Sequence, residues 1–174
     1  MLISEEYRQQ QAVLHATGQY GVAGGDFAKR VAMILKETKA KELLDYGAGS
    51  RLSLKMGLDE LGVTGYRYTP YEPAVPEHSK SPEPSGFVCC IDVLEHIEPE
   101  LLDNVLDDLK RVTRGVGFFT IHTGKAGKTL PDGRNAHLIQ KPAEWWLPKI
   151  LERWELRSFS ARPPKGFSVL VVRK

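Results

Sequence analysis

The order of apolar runs and glycine turns predicts an α/β chain, with a mostly parallel sheet, helices on both faces and a closing antiparallel hairpin. Three observations carry this. Phe87-Val88-Cys89-Cys90-Ile91 is a continuous apolar run, as in a strand covered on both faces. Leu101, Leu102, Val105, Leu106, Leu109 and Val112 then recur at helical spacing on one stripe. Strand-like and helix-like segments alternate up to two final strands joined by Arg162-Pro163-Pro164-Lys165-Gly166, a connection suited to an antiparallel pair.

The elements follow in order. Residues 4–16 are polar with Tyr7, Val13 and Leu14 interspersed, which predicts a peripheral helix ending near Thr17-Gly18. Asp26 is placed to cap a second helix bearing Phe27, Val31, Ile34 and Leu35. Residues 1–38 are therefore expected to form an N-terminal helical flank or lid on a single domain spanning 1–174. Residues 41–46 form a strand centred on Leu43-Leu44, followed by a glycine turn and a helix over 52–61. A second strand over 65–71 ends at Glu72-Pro73, and prolines at 73, 76, 82 and 84 exclude a long regular element before Phe87. Pro99 takes a favoured first-turn position of the striped helix. Residues 116–121 are a strand and 125–141 a polar loop. Pro142 opens a helix with Trp145, Trp146, Ile150 and Leu151, which Pro148 kinks or shortens. Residues 155–161 and 167–172 make the closing pair.

A chain of 174 residues with 41% hydrophobic and 26% charged side chains can bury a core of ordinary size. Its net charge of +2 creates no general field that would draw in nucleic acid or a membrane surface. The two cysteines are sequence neighbours, with Cα atoms about 3.8 Å apart, too close for ordinary disulfide geometry. The start, Met1-Leu2-Ile3-Ser4-Glu5-Glu6, lacks the basic and apolar regions of a signal peptide, so a cytoplasmic location without membrane contact is expected.

Three segments converge at the carboxyl ends of consecutive parallel strands, where ligands of such sheets collect. The first is Asp45-Tyr46-Gly47-Ala48-Gly49, where glycine admits close backbone approach and the next helix offers free N–H groups. The sixth position of a dinucleotide Gly-x-Gly-x-x-Gly pattern is Leu52, which counts against a dehydrogenase. The second is Glu72, between Tyr71 and Pro73, a carboxylate able to accept from both hydroxyls of a ribose or else a solvated strand-end charge. The third, Asp92-Val93-Leu94-Glu95-His96 after Ile91, can meet the rest of a nucleoside ligand or act as a helix cap with a satisfied histidine.

With these residues in view, the sequence resembles the class I S-adenosylmethionine-dependent methyltransferases, over roughly residues 40 to 173 in order. The resemblance lies in Leu43-Leu44-Asp45-Tyr46-Gly47-Ala48-Gly49, Tyr71-Glu72-Pro73 and Asp92-Val93-Leu94-Glu95-His96-Ile97, the last most like the ubiquinone-biosynthesis and other small-molecule enzymes. It implies a Rossmann-like three-layer sandwich with S-adenosyl-L-methionine as cofactor. The glycine turn, with Asp45, Tyr46, Gly47, Ala48 and Gly49, would hold the methionine part. Tyr71, Glu72 and Pro73 would hold the ribose, and Ile91, Asp92, Val93 and His96 would line the crevice.

Two departures matter. Arg51 stands where a third glycine is frequent, and about fourteen residues between Glu72 and Phe87 leave no room for a helix plus a strand, so the sheet should be one strand short of seven. Val75, Pro76 or Ser79 would then replace the adenine contacts of the missing unit. No Asn-Pro-Pro-Tyr or Asp-Pro-Pro-Tyr motif follows the Phe87 strand, which argues against amino-methylating nucleic-acid enzymes.

Methyl transfer needs donor and nucleophile aligned, and a base only where the acceptor must lose a proton. His137 is the candidate, on the polar loop, with His96 and His122 next; alternatively His137 ties down its loop. Lys125, Lys128 and Arg134 could attract an anionic group or be solvated, and Trp145 and Trp146 could wall an aromatic acceptor or pack as core. Tyr7, His15 and Tyr20 could close the pocket. The expected partner is a small-molecule methyl acceptor; neither nucleic acid nor a metal ion is expected. A degenerate cofactor-binding or partner-binding module without turnover is the competing reading, and nucleic-acid methylation, supported only by the basic loop and the mild positive balance, is a third.

Overall fold

The structure, a computed structural model, describes residues 1–18 and 20–174. The first helix, α1 (Glu5–Ala16), begins where the Ser4 hydroxyl accepts from the Tyr7 N–H, with Glu5 and Glu6 beside the free N–H groups of its first turn. A short 3-10 turn over Ala23–Phe27 leads into α2 (Ala28–Thr38). Asp26, expected to cap that helix, lies inside the turn. Phe27 takes the cap position without a side-chain bond, because its ring is held between Phe118 and the Arg162 guanidinium.

The remaining elements are β1 (Glu42–Tyr46), α3 (Ser53–Glu60), β2 (Arg67–Tyr71), β3 (Ser85–Ile91), α4 (Leu102–Val112), β4 (Thr113–His122), α5 (Ala143–Arg153), β5 (Trp154–Arg162) and β6 (Gly166–Arg173). The strands lie in the order β2-β1-β3-β4-β6-β5. The first four are parallel, and β6 runs antiparallel to both its neighbours. This is the expected α/β sandwich with six strands and a closing hairpin.

Neighbouring residues of a strand point to opposite faces, which is why the central strands read as unbroken apolar runs. Leu44, Val88, Cys90 and Phe119 meet α4 and α5 through Val105, Leu106, Leu109, Trp146 and Ile150. Leu43, Phe87, Cys89 and Phe118 meet α2 and α3 through Val31, Ile34, Leu35, Leu54 and Leu58. The adjacent thiols thus serve opposite layers, and both are free and buried.

Two proline expectations are refined. Pro99 opens a separate 3-10 turn (Pro99–Leu101) ahead of α4, and α5 runs through Pro148 to Arg153 without ending. Glu144 and Pro148 are both exposed, so the carbonyl that loses its N–H partner lies on the watered side of α5. The Pro-rich connection over 72–84 holds one 3-10 turn (Pro76–His78) and is pinned by the Arg111 guanidinium, which donates to the Pro82 carbonyl at 3.2 Å.

Candidate functional site

The first wall is the turn after β1. Gly47 has φ +85°, and a Cβ there would sit 2.3 Å from a Val93 methyl, so only glycine fits. The N–H groups of Gly47 and Ala48 both donate to the Tyr71 carbonyl, at 2.8 and 3.0 Å, which locks the turn to the end of β2. Gly49 has φ +64°, and a Cβ there would sit 2.8 Å from the Gly21 carbonyl oxygen. The Arg51 guanidinium donates to the Gly18 carbonyl at 2.9 Å and holds the amino-terminal segment over the turn.

Glu72 stands at the end of β2. The backbone N–H groups of Ala74, at 3.2 Å, and of Gly49 donate to its carboxyl. Its Oε2 lies 3.6 Å from His15 Nε2. Burial raises its pKa to about 7, against the lowering effect of those N–H groups. Burial also lowers His15 to about 4, so near neutrality the imidazole is uncharged and the contact is no ion pair.

The third wall follows β3. Asp92 adopts φ +49°, a strained conformation for a non-glycine residue. It is held there from β4: its N–H donates to Thr120 Oγ1 at 2.9 Å, and the Thr120 hydroxyl donates to Asp92 Oδ1 at 2.5 Å. Arg162 lies 3.5 Å from the same carboxylate.

Behind Asp92 is a group of histidines. His96 Nδ1 donates to the Ala136 carbonyl at 2.7 Å and lies 2.9 Å from the Tyr20 hydroxyl. Burial is the largest of the influences that lower its pKa to about 3. His137 Nδ1 donates to the Gly124 carbonyl at 2.6 Å, and burial lowers its pKa also. The ring centroid of His137 lies 4.6 Å from that of His96 and 4.8 Å from that of His122. Glu95 is completely buried beside them. Its Oε1 accepts from the His122 N–H at 2.8 Å, while Oε2 has no hydrogen-bond partner.

These walls enclose a cavity of about 350 Å³, within the range of small-molecule sites. Of the residues read from the sequence, Tyr46, Gly47, Glu72 and Pro73 line one side, and Asp92, Val93, His96 and His137 the other. Asp45, Ala48, Gly49, Tyr71 and Ile91 stand outside the lining as supports. Asp45 is buried and accepts from the Tyr68 hydroxyl, with burial raising its pKa to about 6. The rings of Tyr71 and Tyr46 meet edge to face at 4.9 Å.

Other expectations are corrected. Val75, Pro76 and Ser79 do not line the cavity, because the turn at 76–78 folds back on itself, with the Ser79 hydroxyl donating to Pro76. Arg134 is tied to Asp132 at 2.7 Å, leaving Lys125 and Lys128 as the lining cations. Trp146 is core, fully buried with its indole N–H on the Lys141 carbonyl, and Trp145 is partly buried against the same core under the Lys149 ammonium. Tyr7, His15 and Tyr20 do line the cavity, joined by Gln11 and by Gly21 to Ala23. The Tyr7 hydroxyl donates to the His96 carbonyl, which fastens α1 to the third wall. The sequence reading missed Glu95 as a site residue. It stood in the quoted motif, but nothing in its spacing signals a carboxyl buried on every side.

No family model and no curated protein matches this sequence. Solved structures do. The 1,6-didemethyltoxoflavin-N1-methyltransferase of Burkholderia thailandensis, with bound 1,6-didemethyltoxoflavin and S-adenosylhomocysteine, superposes with a TM-score of 0.64 at 16% identity, over 96% of this chain and 87% of that one. This chain has the class I methyltransferase fold. TnmH gives 0.59 at 14% identity over 86% of this chain, and the mitomycin 7-O-methyltransferase MmcR gives 0.59 at 13% over 86%. The chain spans only 55% and 53% of those two proteins' lengths. β2 forms one edge of the six-stranded sheet. Among the described residues no helix is long and apolar enough to cross a membrane.

Proposed function

We propose that the chain is a methyltransferase that uses S-adenosyl-L-methionine and a small-molecule acceptor. The observation that carries this reading is the meeting of Gly47, Glu72 and Val93 on one cavity at the ends of β1, β2 and β3. The residues present fit the cofactor. A side chain at Gly47 would fill the backbone cradle, and Glu72 turns toward the cavity a buried carboxylate oxygen whose nearby side chain, His15, is uncharged near neutrality. The solved relative that holds S-adenosylhomocysteine adds support at the level of the fold.

In this reading Glu72 accepts from the ribose hydroxyls, Gly47 and Gly49 let the backbone close on the methionine part, and Asp92 and Val93 form the far wall. The cofactor supplies an electrophilic methyl carbon, and the chain aligns the acceptor for in-line attack. His137 is assigned to the acceptor's proton: its Nδ1–H is held by Gly124, so an unprotonated Nε2 is available. Lys125 and Lys128 favour an acceptor with some negative charge. Residues 1–174 act as one unit in a cytoplasmic setting, with 1–38 closing the cavity through His15 and Tyr20.

Calorimetric titration with S-adenosylmethionine, S-adenosylhomocysteine and NAD tests the reading. Binding of the first two, weakened in Glu72→Ala, supports it. Absence of both, or preference for NAD, overturns it. Binding with no methylated product across an acceptor panel would favour a module without turnover.

A further inference from the structure

Glu95, His96 and His137 bring one ligand atom each to within 4.8 Å of one another; the two histidines line the cavity, and Glu95 is buried outside its lining. Two features distinguish this group from a chance cluster. Both histidines spend Nδ1 on a backbone carbonyl, Ala136 for His96 and Gly124 for His137, which fixes the rings and leaves each Nε2 with a free lone pair. That is the arrangement that orients metal-ligating imidazoles. The second feature is Glu95 Oε2, an oxygen of a fully buried carboxyl with no hydrogen-bond partner. An unpaired polar atom at that depth costs free energy unless something completes it.

We propose that Glu95, His96 and His137 bind one divalent first-row transition-metal ion at the cavity wall that the two histidines form. Two imidazoles and one carboxylate are the donor set of zinc, iron, manganese or cobalt, whereas magnesium and calcium prefer oxygen ligands. Ligand atoms about 2.1 Å from a tetrahedral ion are about 3.4 Å apart, so binding draws the three side chains together by about 1 Å. The sites left over on the ion face the cavity that His96, His122 and His137 line. Ion binding stands on the donor geometry alone, while its part in catalysis rests on the methyltransferase reading. There it makes His137 a ligand, and the ion in its place acidifies a coordinated acceptor hydroxyl. The oxygen then forms a bond to the methyl carbon as the carbon–sulfur bond breaks, and the hydroxyl proton leaves to solvent.

The test uses the full chain after chelation and dialysis, titrated with cobalt(II) alone and followed by visible absorption. One equivalent should bind and give a ligand-field band that zinc(II) bleaches. Glu95→Gln and His137→Ala should each weaken cobalt binding at least tenfold, while His78→Ala, on the distant Pro-rich connection, should not. Circular dichroism of each variant separates lost ligation from lost folding, and His137→Cys, which restores a ligand, should recover a band shifted by thiolate ligation. No stoichiometric binding in the wild type, or binding unchanged in His137→Ala, overturns the proposal. S-adenosylhomocysteine affinity measured on the same chelated sample judges the methyltransferase reading separately: cofactor binding without cobalt binding defeats only the metal site.

Discussion

Glutamine in place of Glu72 removes an ionisable group from a mostly buried position and leaves its shape nearly unchanged. A carboxyl whose pKa rises from the ordinary 4.5 to about 7 on folding destabilises the native state by about 3 kcal/mol once both states are ionised. The sign follows from proton uptake. Below pH 4.5 the group is protonated folded or unfolded and costs nothing. Between pH 4.5 and 7 the unfolded chain ionises first, so stability falls as pH rises, and above 7 the loss is complete. The groups that face this carboxyl are the uncharged His15 ring, the N–H groups of Gly49 and Ala74, and Asp45 as a repelling charge. At pH 5, where about 0.8 kcal/mol of this loss has developed, Glu72→Gln should melt only about 2–3 °C above the wild type. At pH 8 it should melt about 6–12 °C higher, at 2–4 °C per kcal/mol for a chain of this size. The same substitution should weaken S-adenosylhomocysteine binding by about thirtyfold, or about 2 kcal/mol, since one charge-assisted acceptor becomes a donor. Stability and affinity thus move in opposite directions. Melts whose difference is the same at pH 5 and pH 8 would refute the burial argument, and unchanged affinity would refute the ribose role.

Four further outcomes are expected. Wild-type affinity for S-adenosylhomocysteine should rise from pH 6 to 8 and then level, because binding needs Glu72 ionised; calorimetry in buffers of different ionisation enthalpy should show proton release near pH 7. Gly47→Ala should cost about 1–3 kcal/mol in denaturant melts and abolish cofactor binding, and adding Val93→Ala should recover part of the stability by removing the methyls in the way. His137→Gln should lower kcat by about 10²-fold or more while cofactor affinity stays within twofold. Trp146→Ala should cost about 3–5 kcal/mol in stability with cofactor affinity unchanged, as its ring lies in the core under α5; a selective loss of binding would return it to the site.

Much of the fold was legible because its causes are local. The paired faces of 87–91, the stripe from Leu102 to Val112 and the short Pro-rich connection each follow from spacing or from missing N–H groups, and they led to a sheet one strand short. Helix caps were less legible: Asp26 lost the cap position because Phe27 is fixed by partners more than ninety residues away.

The sequence by itself determined that three polar segments end consecutive parallel strands, since alternation and glycine turns act over a few residues. Only the tertiary structure decided which side chains share the cavity. Arg51 reaching Gly18, Tyr7 reaching His96, and His96 and His137 turning toward Glu95 join residues far apart in the chain. Their positions depend on how the amino-terminal helix and the loop over 125–141 pack against the sheet. The depth at which Glu95 and Glu72 lie depends on the same packing, and burial, which no short stretch of sequence encodes, sets the charge they carry.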